Sequence, residues 1–215
     1  MMKLAIRQIF LLALFVGLPA CLSAQRAVGA AESKQMIDEV CATASKMNSL
    51  RCDFKQVKNL SLLKTEMVSQ GKMYYKGGKF LRWEYISPYT YTFILNRDSV
   101  ILKSSTKTDV ISVRSSKLFQ QIARIMMNSV TGKSLSNTED FSVSMYLVDG
   151  AWMARLTPRQ KALSQFFSCI QLYIDPKIKM VNRVELIEKS GDTTRITLTK
   201  IEKNVAICDA VFSTK

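Results

Sequence analysis

GKMYYKGGKFLRWEYISP, at residues 71–88, is the stretch that decides the fold. Its side chains alternate between apolar and charged on both sides of a Gly77-Gly78 turn, which is the pattern of an antiparallel hairpin with two different faces. The apolar face comprises Met73, Tyr75, Leu81, Trp83 and Tyr85. The opposite face comprises Lys72, Tyr74, Lys76, Arg82 and Glu84. One face of this hairpin is therefore predicted to be buried.

Further short strands are predicted around this hairpin, because apolar residues alternate between turn residues along much of the chain. A strand-like pattern covers 50–57, and strands are predicted at 67–76, 79–86, 89–96, 99–104, 108–114, 140–147, 151–156, 166–174, 180–188, 193–202 and 205–213. Amphipathic helices are predicted at 32–47 and 115–132, where apolar residues recur every three or four positions. We expect an α+β, mainly β fold: an incomplete antiparallel barrel of about eleven strands with helices covering or plugging its concave face.

Residues 1–24 have the features of an export signal, with a basic start and an apolar run at 9–18 that is too short to span a bilayer. Leu22-Ser23-Ala24 suits a signal peptidase, which predicts release of a single domain at 25–215. Residues 18–21 loosely resemble a lipobox, so anchoring through a lipid on Cys21 is the alternative.

The chain contains five cysteines and no histidine. The lack of histidine excludes Ser-His-Asp and Cys-His nucleophile systems and the His-containing zinc sites. Four cysteines follow the predicted signal, and in an oxidising compartment we favour the pairs Cys41–Cys52 and Cys169–Cys208. Buried free thiols are the open alternative. We expect no metal and no cofactor.

The formal net charge is +14 at pH 7. In an exported chain this excess predicts contact with anionic lipid head groups or acidic protein partners rather than nucleic acid. Lys72, Lys76 and Arg82 are the predicted docking residues, because they share the outer face of the hairpin. A solvated surface without a partner is the alternative.

The apolar face continues into the next predicted strand through Tyr91 and Phe93. An ordinary barrel core explains such a face, and a cavity for an acyl ligand is the alternative interpretation. A sheet of about eleven strands encloses more volume than its own side chains readily fill, which leaves room for a pocket or a helical plug.

Several segments together resemble the outer-membrane lipoprotein carrier protein family, LolA. The resemblance rests on the blocks at 71–76 and 80–85 with Pro88, on Phe54-x-Gln56, on Leu156-Thr157-Pro158 and on Gly191-Asp192-Thr193-Thr194. These motifs occur in the family's order over nearly the whole chain after residue 24.

The resemblance implies a monomeric periplasmic carrier with a helical lid and no enzymatic activity. Such a carrier receives lipoprotein acyl chains from an inner-membrane exporter, contacts membranes transiently and delivers its cargo to an outer-membrane acceptor. The implied acyl-binding residues are Phe54, Met73, Tyr75, Leu81, Trp83, Tyr85, Tyr91, Phe93 and Ile125.

The sequence departs from the family at Gly77-Gly78, where many members have an arginine and a proline. That arginine is expected to hold the lid shut, which a glycine cannot do. Either Arg82 or another group replaces it, or the lid closes less firmly, or the chain carries a different lipid.

Two other functions are the alternatives to a carrier. An enzyme acting on lipid or glycan would have to use carboxylates such as Glu84, Glu185 or Glu188, but these occupy polar strand positions that are usually only solvated. A module that senses lipoproteins and signals through another protein would share the fold. The lipoprotein carrier is the preferred function. A carrier of another lipid or a sensing module is the alternative.

Overall fold

The structure is a computed structural model that describes residues 25–97, 99–112, 127–128 and 131–213. The predicted signal at 1–24 lies outside the described residues. Most of the predicted helix at 115–132, including Ile125, lies outside them as well. Within the described ranges, no helix is long and apolar enough to cross a membrane.

The described residues form one sheet of twelve antiparallel strands. The strands are β1 Arg26–Ala27, β2 Ser49–Leu60, β3 Thr65–Lys76, β4 Phe80–Ser87, β5 Tyr91–Asn96, β6 Ser99–Ser104, β7 Thr108–Ser112, β8 Phe141–Val148, β9 Ala151–Pro158, β10 Phe167–Asp175, β11 Met180–Glu188 and β12 Thr193–Lys203. Their order across the sheet is β1-β8-β9-β10-β11-β12-β2-β3-β4-β5-β6-β7. Because β1 and β7 are its two edges, the sheet is an unclosed barrel, which confirms the predicted fold class.

The Gly77-Gly78 turn between β3 and β4 has the predicted conformation. Both glycines have positive φ angles, 58° and 71°, which residues with a Cβ rarely adopt. Two consecutive positive φ angles match the right-handed twist of the flanking strands in a tight hairpin. The turn therefore fixes the register that pairs Tyr75 with Leu81 and Met73 with Trp83.

Helix α1 spans Ala30–Ser45 and confirms the predicted helix at 32–47 within two residues. It buries Met36, Val40 and Ala44, which lie on one stripe of its surface. Met36 and Val40 pack against apolar side chains of β8 to β11, so α1 covers that half of the sheet. A short helix, α2, forms one turn at Lys161–Ser164.

The sheet has an inner and an outer face, which alternate along every strand. The inner face carries two buried clusters, one on the half of the sheet from β12 to β7 and one beneath α1 on the half from β8 to β11. The outer face carries a smaller cluster around Ile94 and Ile101. The inner face is continuous across both halves, because Ile196 of β12 touches both of its clusters.

The predicted strand at 205–213 is wrong. Residues after β12 leave the sheet as an extended segment that ends in a 3-10 turn at Asp209–Phe212. Ile207 and Phe212 of this segment are buried in the outer-face cluster. The segment thus buries its apolar side chains by lying across the sheet rather than by pairing with it. The short β1, which pairs with β8, was not predicted.

Candidate functional site

The hairpins β2–β3 and β4–β5 bring the predicted acyl-binding residues together on the inner face. The described members are Phe54, Met73, Tyr75, Leu81, Trp83, Tyr85, Tyr91 and Phe93, and all but Tyr91 belong to or pack against one cluster. Met73 pairs with Trp83, and Trp83 pairs with Phe93 on the next strand. Tyr85 and Tyr91 are half-buried, whereas the other six are buried. Their role in binding stays a prediction.

Aromatic rings form a row that runs from the buried interior to one end of the sheet. The Phe54 and Trp83 rings stack with their centroids 4.4 Å apart, and the Tyr85 ring meets the Phe54 ring edge-on at 5.3 Å. Tyr85 in turn lies 5.7 Å from Tyr89 and 6.4 Å from Tyr91, again between ring centroids. Such a row offers a continuous apolar path between the core and the surface.

One polar contact interrupts this apolar row. The Tyr85 hydroxyl donates a hydrogen bond of 3.0 Å to Oε1 of Gln56, which lies on the neighbouring inner-face position of β2. Burial raises the pKa of the Tyr85 phenol, so it is neutral at physiological pH. The phenol therefore orients a ring edge without bringing a charge into the site.

Gly71 allows this arrangement because its neighbours leave no room for a side chain. A Cβ at this position would lie 1.8 Å from the carbonyl oxygen of Glu84 and 2.7 Å from two ring atoms of Phe54. Ile86 is an extra residue in β4 beside Gly71, since Gly71 pairs with Tyr85 and Gln70 pairs with Ser87. Glycine is thus required at position 71, because the ring of Phe54 lies over β3 there.

Replacing Gly71 with alanine is expected to destabilise the fold by about 2 kcal/mol or more, because overpacking a rigid site forces shifts of backbone and ring. Urea unfolding of Gly71→Ala checks this, with Gly29→Ala as the matched control. Gly29 precedes α1 at a φ of −65° and has no atom within 4 Å of its Cβ position. Equal losses in the two variants would mean that the close approach of Phe54 and Glu84 to Gly71 does not limit stability.

The inner-face cluster includes residues that sequence reasoning missed. Met47, Val100, Met180 and Leu198 belong to the same cluster, and Met127 packs against it. Alternation in β12 could have identified Leu198, since it continues the period of two through Thr194 and Ile196. Met180 could not be identified, because it reaches the cluster from the far end of β11.

The predicted docking residues lie on the outer face, and two of them hold the C-terminal segment. Nζ of Lys76 contacts Asp209 Oδ1 at 2.6 Å and the Ile207 carbonyl oxygen at 2.9 Å. Arg82 pairs with Glu84 at 3.0 Å and donates to the Val211 carbonyl oxygen at 3.2 Å. Arg82 therefore faces away from the inner face.

The carboxylates considered for catalysis are held in ion pairs. Glu84 is bound by Arg82, Glu185 contacts Arg195 at 2.8 Å, and Glu188 contacts Lys58 at 3.1 Å. These pairs are spread over β2, β4, β11 and β12, so they do not converge on one site. No group of three or more metal-ligating side chains occurs among the described residues.

The four described cysteines are free, and neither predicted disulfide is formed in the structure. Cys41 packs beside the cluster under α1, whereas Cys52 lies in the other cluster, where burial raises its pKa to about 12. Cys169 is on β10, whereas Cys208 lies in the C-terminal segment between Ile207 and Asp209, both of which Lys76 of β3 contacts. Four strand spacings, about 19 Å along the sheet, separate β10 from β3, far beyond disulfide reach.

These features define a class of protein: an open antiparallel half-barrel with a helix and an apolar, aromatic inner face. The model of the family described as "Outer membrane lipoprotein carrier protein LolA" matches residues 45–215. The chain belongs to this family. No curated protein matches this chain.

Solved structures with the same fold differ widely in sequence. An uncharacterized conserved protein from Thermus thermophilus aligns with a TM-score of 0.51 at 9% identity, over 84% of this chain and 92% of that one. The LolA superfamily protein NE2245 from Nitrosomonas europaea aligns with a TM-score of 0.46 at 9% identity, over 85% of this chain and 97% of that one. MucB in its complex with MucA from Pseudomonas aeruginosa gives 0.49 at 11% identity, over 86% and 61%. At these identities the likeness concerns the fold alone.

Proposed function

We propose that this protein is a periplasmic carrier that binds the acyl chains of lipoproteins on its inner face and ferries them from the inner to the outer membrane. The observation that carries the proposal is the buried aromatic and apolar surface formed by β2 to β5 in a member of the LolA family. The carrier needs no cofactor and performs no chemistry, because its work is to replace one apolar environment with another.

The energetics explain why such a surface is required. Each methylene group transferred from water to an apolar environment contributes about 0.8 kcal/mol, so a multiply acylated protein leaves a membrane very slowly without a carrier. The carrier must also release its cargo. A segment of the protein that competes with the cargo for the same apolar surface allows both binding and release of the cargo. Such a segment shifts the equilibrium between cargo-bound and cargo-free protein.

The predicted helix at 115–132, of which the structure describes residues 127–128 and 131–132, is the proposed competitor. Met127 packs against the inner-face cluster, and its carbonyl oxygen accepts a hydrogen bond of 2.8 Å from the Thr131 hydroxyl. Gly132 follows at a φ of 80°, where its Cβ position would lie 2.7 Å from Val40 of α1. This close approach packs Gly132 against α1.

The partners of this carrier are acylated lipoproteins, an inner-membrane exporter that loads them and an outer-membrane acceptor that receives them. The exchange requires transient contact with the two membranes or with proteins in them. We propose that the carrier acts as a monomer, since strands β2 to β5 of one chain form the apolar surface.

Mass spectrometry of the molecules that co-purify with the protein tests the proposal. The protein is expressed as the full chain in a bacterium with two membranes and is isolated from the periplasmic fraction without detergent. We expect acylated lipoproteins or their acylated peptides in the purified sample. Phospholipid or free fatty acid alone would identify a carrier of another lipid, and a sample without any acyl chain would refute the proposal.

A further inference from the structure

The exposed apolar side chains concentrate at one end of the sheet. This end carries seven of the nine large apolar residues that are exposed in the described part of the chain: Leu62, Leu63, Met67, Val68, Ile86, Tyr89 and Phe166. Val110 lies on the edge strand β7, and Ile178 lies in the β10–β11 turn at the opposite end. A patch of this kind on a protein surface usually marks a site of contact.

The turn between β2 and β3 is the most prominent part of this end. Leu62 and Leu63 occupy the turn and are 92% and 66% exposed. Pairing between β3 and β4 starts only at Gln70 and Ser87, so residues 65–69 extend past the end of β4. At 3.4 Å per residue this overhang is about 17 Å long.

The turn is held in place rather than loosely attached. The backbone N–H and the hydroxyl of Ser61 both donate to Oδ1 of Asp192 in the β11–β12 turn, at 2.9 and 3.0 Å. These hydrogen bonds lower the pKa of the Asp192 carboxyl, so it stays ionised and bound to Ser61. Nearby, Lys58 and Glu188 form a half-buried ion pair. The two leucines are thus presented to the exterior by a fixed scaffold.

Charge indicates what these leucines contact. Lys55, Lys72 and Lys200 line a groove of about 460 Å³ beside Ile86, and Asp53 is its single acidic residue. Lys200 is paired with Asp53 at 2.8 Å, which leaves two lysines in excess. The chain as a whole carries a formal net charge of +14. A protruding apolar turn with a basic groove at the base of its overhang complements an anionic lipid surface.

We propose that the β2–β3 turn, with Leu62 and Leu63 at its tip, inserts into anionic lipid membranes and docks the protein there. At the tip itself the charges of Lys64 and Glu66 offset each other. The leucines therefore insert into the bilayer, and the lysines of the groove attract the anionic head groups. The row from Trp83 through Tyr85 to Tyr89 reaches the same end. Docking therefore brings the inner face to the bilayer surface.

Flotation with lipid vesicles tests this inference. Protein purified after expression of the full chain is mixed with vesicles made of equal parts of phosphatidylcholine and phosphatidylglycerol. We expect binding that weakens with added salt and falls by at least about tenfold in Leu62→Ser/Leu63→Ser, because insertion scales with the apolar area buried. Both side chains are exposed, so the thermal unfolding temperature of this variant should match that of the wild type.

The matched control is Ile178→Ser, which removes an exposed apolar side chain at the opposite end and should bind vesicles like the wild type. The inference is overturned if the double variant binds vesicles normally, if Ile178→Ser loses as much binding, or if the wild type binds no vesicles. Retention on an acidic protein without any vesicle binding would also overturn it.

The inference rests on the proposed carrier function for its purpose, but the two are measured separately. Vesicle flotation needs no acyl cargo, and co-purification of lipoproteins needs no vesicles. A protein that floats with vesicles but carries no acyl chain would refute the carrier function and leave the docking turn standing.

Discussion

Leu81→Glu is expected to abolish acyl-chain binding, and Trp83→Glu should do the same. Leu81 is 1% exposed and Trp83 is 3% exposed, at the centre of the inner-face cluster. A carboxylate at either position must lose its hydration for an acyl chain to lie against it, which costs several kcal/mol without a hydrogen-bonding partner. Affinity should therefore fall by about a hundredfold or more.

The same burial means that these two variants also lose fold stability, so a third variant separates binding from folding. Tyr91 is only half-buried on the inner face of β5, where its ring lies 6.4 Å from that of Tyr85. Tyr91→Glu leaves the new carboxylate partly hydrated, and unfolding free energy should change by no more than about 1 kcal/mol. Acyl binding should still fall by about tenfold, because the ligand would cover that carboxylate.

Titration with a fluorescent acylated peptide measures these affinities. Val110→Glu is the matched control, because it places the same charge on β7 at a position that is 67% exposed. The control should bind like the wild type. If Leu81→Glu and Tyr91→Glu bind the peptide with unchanged affinity while folded, the inner face of β2 to β5 is not the acyl site.

Much of this site could be predicted from sequence because strand alternation is a local property. Side chains two residues apart share a face, and the Gly77-Gly78 turn fixes which of them face each other across β3 and β4. The basic residues Lys72, Lys76 and Arg82 were likewise assigned correctly to the opposite face. The two faces of a hairpin can therefore be predicted without knowing how the rest of the chain folds.

Features that depend on distant contacts could not be predicted in this way. The partners of Arg82 and Lys76 in the C-terminal segment lie 129 to 133 residues further along the chain. The alternation of Val205 and Ile207 resembles a strand, and nothing local reveals that the outer face of β3 to β6 is itself apolar enough to bury them. The division of the inner face into two clusters likewise depends on where α1 packs.

Phe212→Ala is expected to destabilise the protein by about 3–5 kcal/mol, the usual cost of truncating a buried aromatic side chain. Phe212 is 0% exposed and packs in the outer-face cluster with Ile94 and Ile101. Its ring centroid is 5.3 Å from that of Phe80, and its carbonyl oxygen accepts a hydrogen bond from Asn96 at 3.0 Å. Urea unfolding followed by circular dichroism gives the change in unfolding free energy.

Cys208→Ala is the matched control in the same segment, since Cys208 is exposed and its truncation should change stability by less than about 0.5 kcal/mol. A small loss in both variants would mean that the segment does not pack on the outer face in solution. Because the segment and the acyl site lie on opposite faces, Phe212→Ala should bind acylated peptide with wild-type affinity wherever it remains folded. A loss of affinity in the folded variant would show instead that the segment shapes the inner face through β4 and β5.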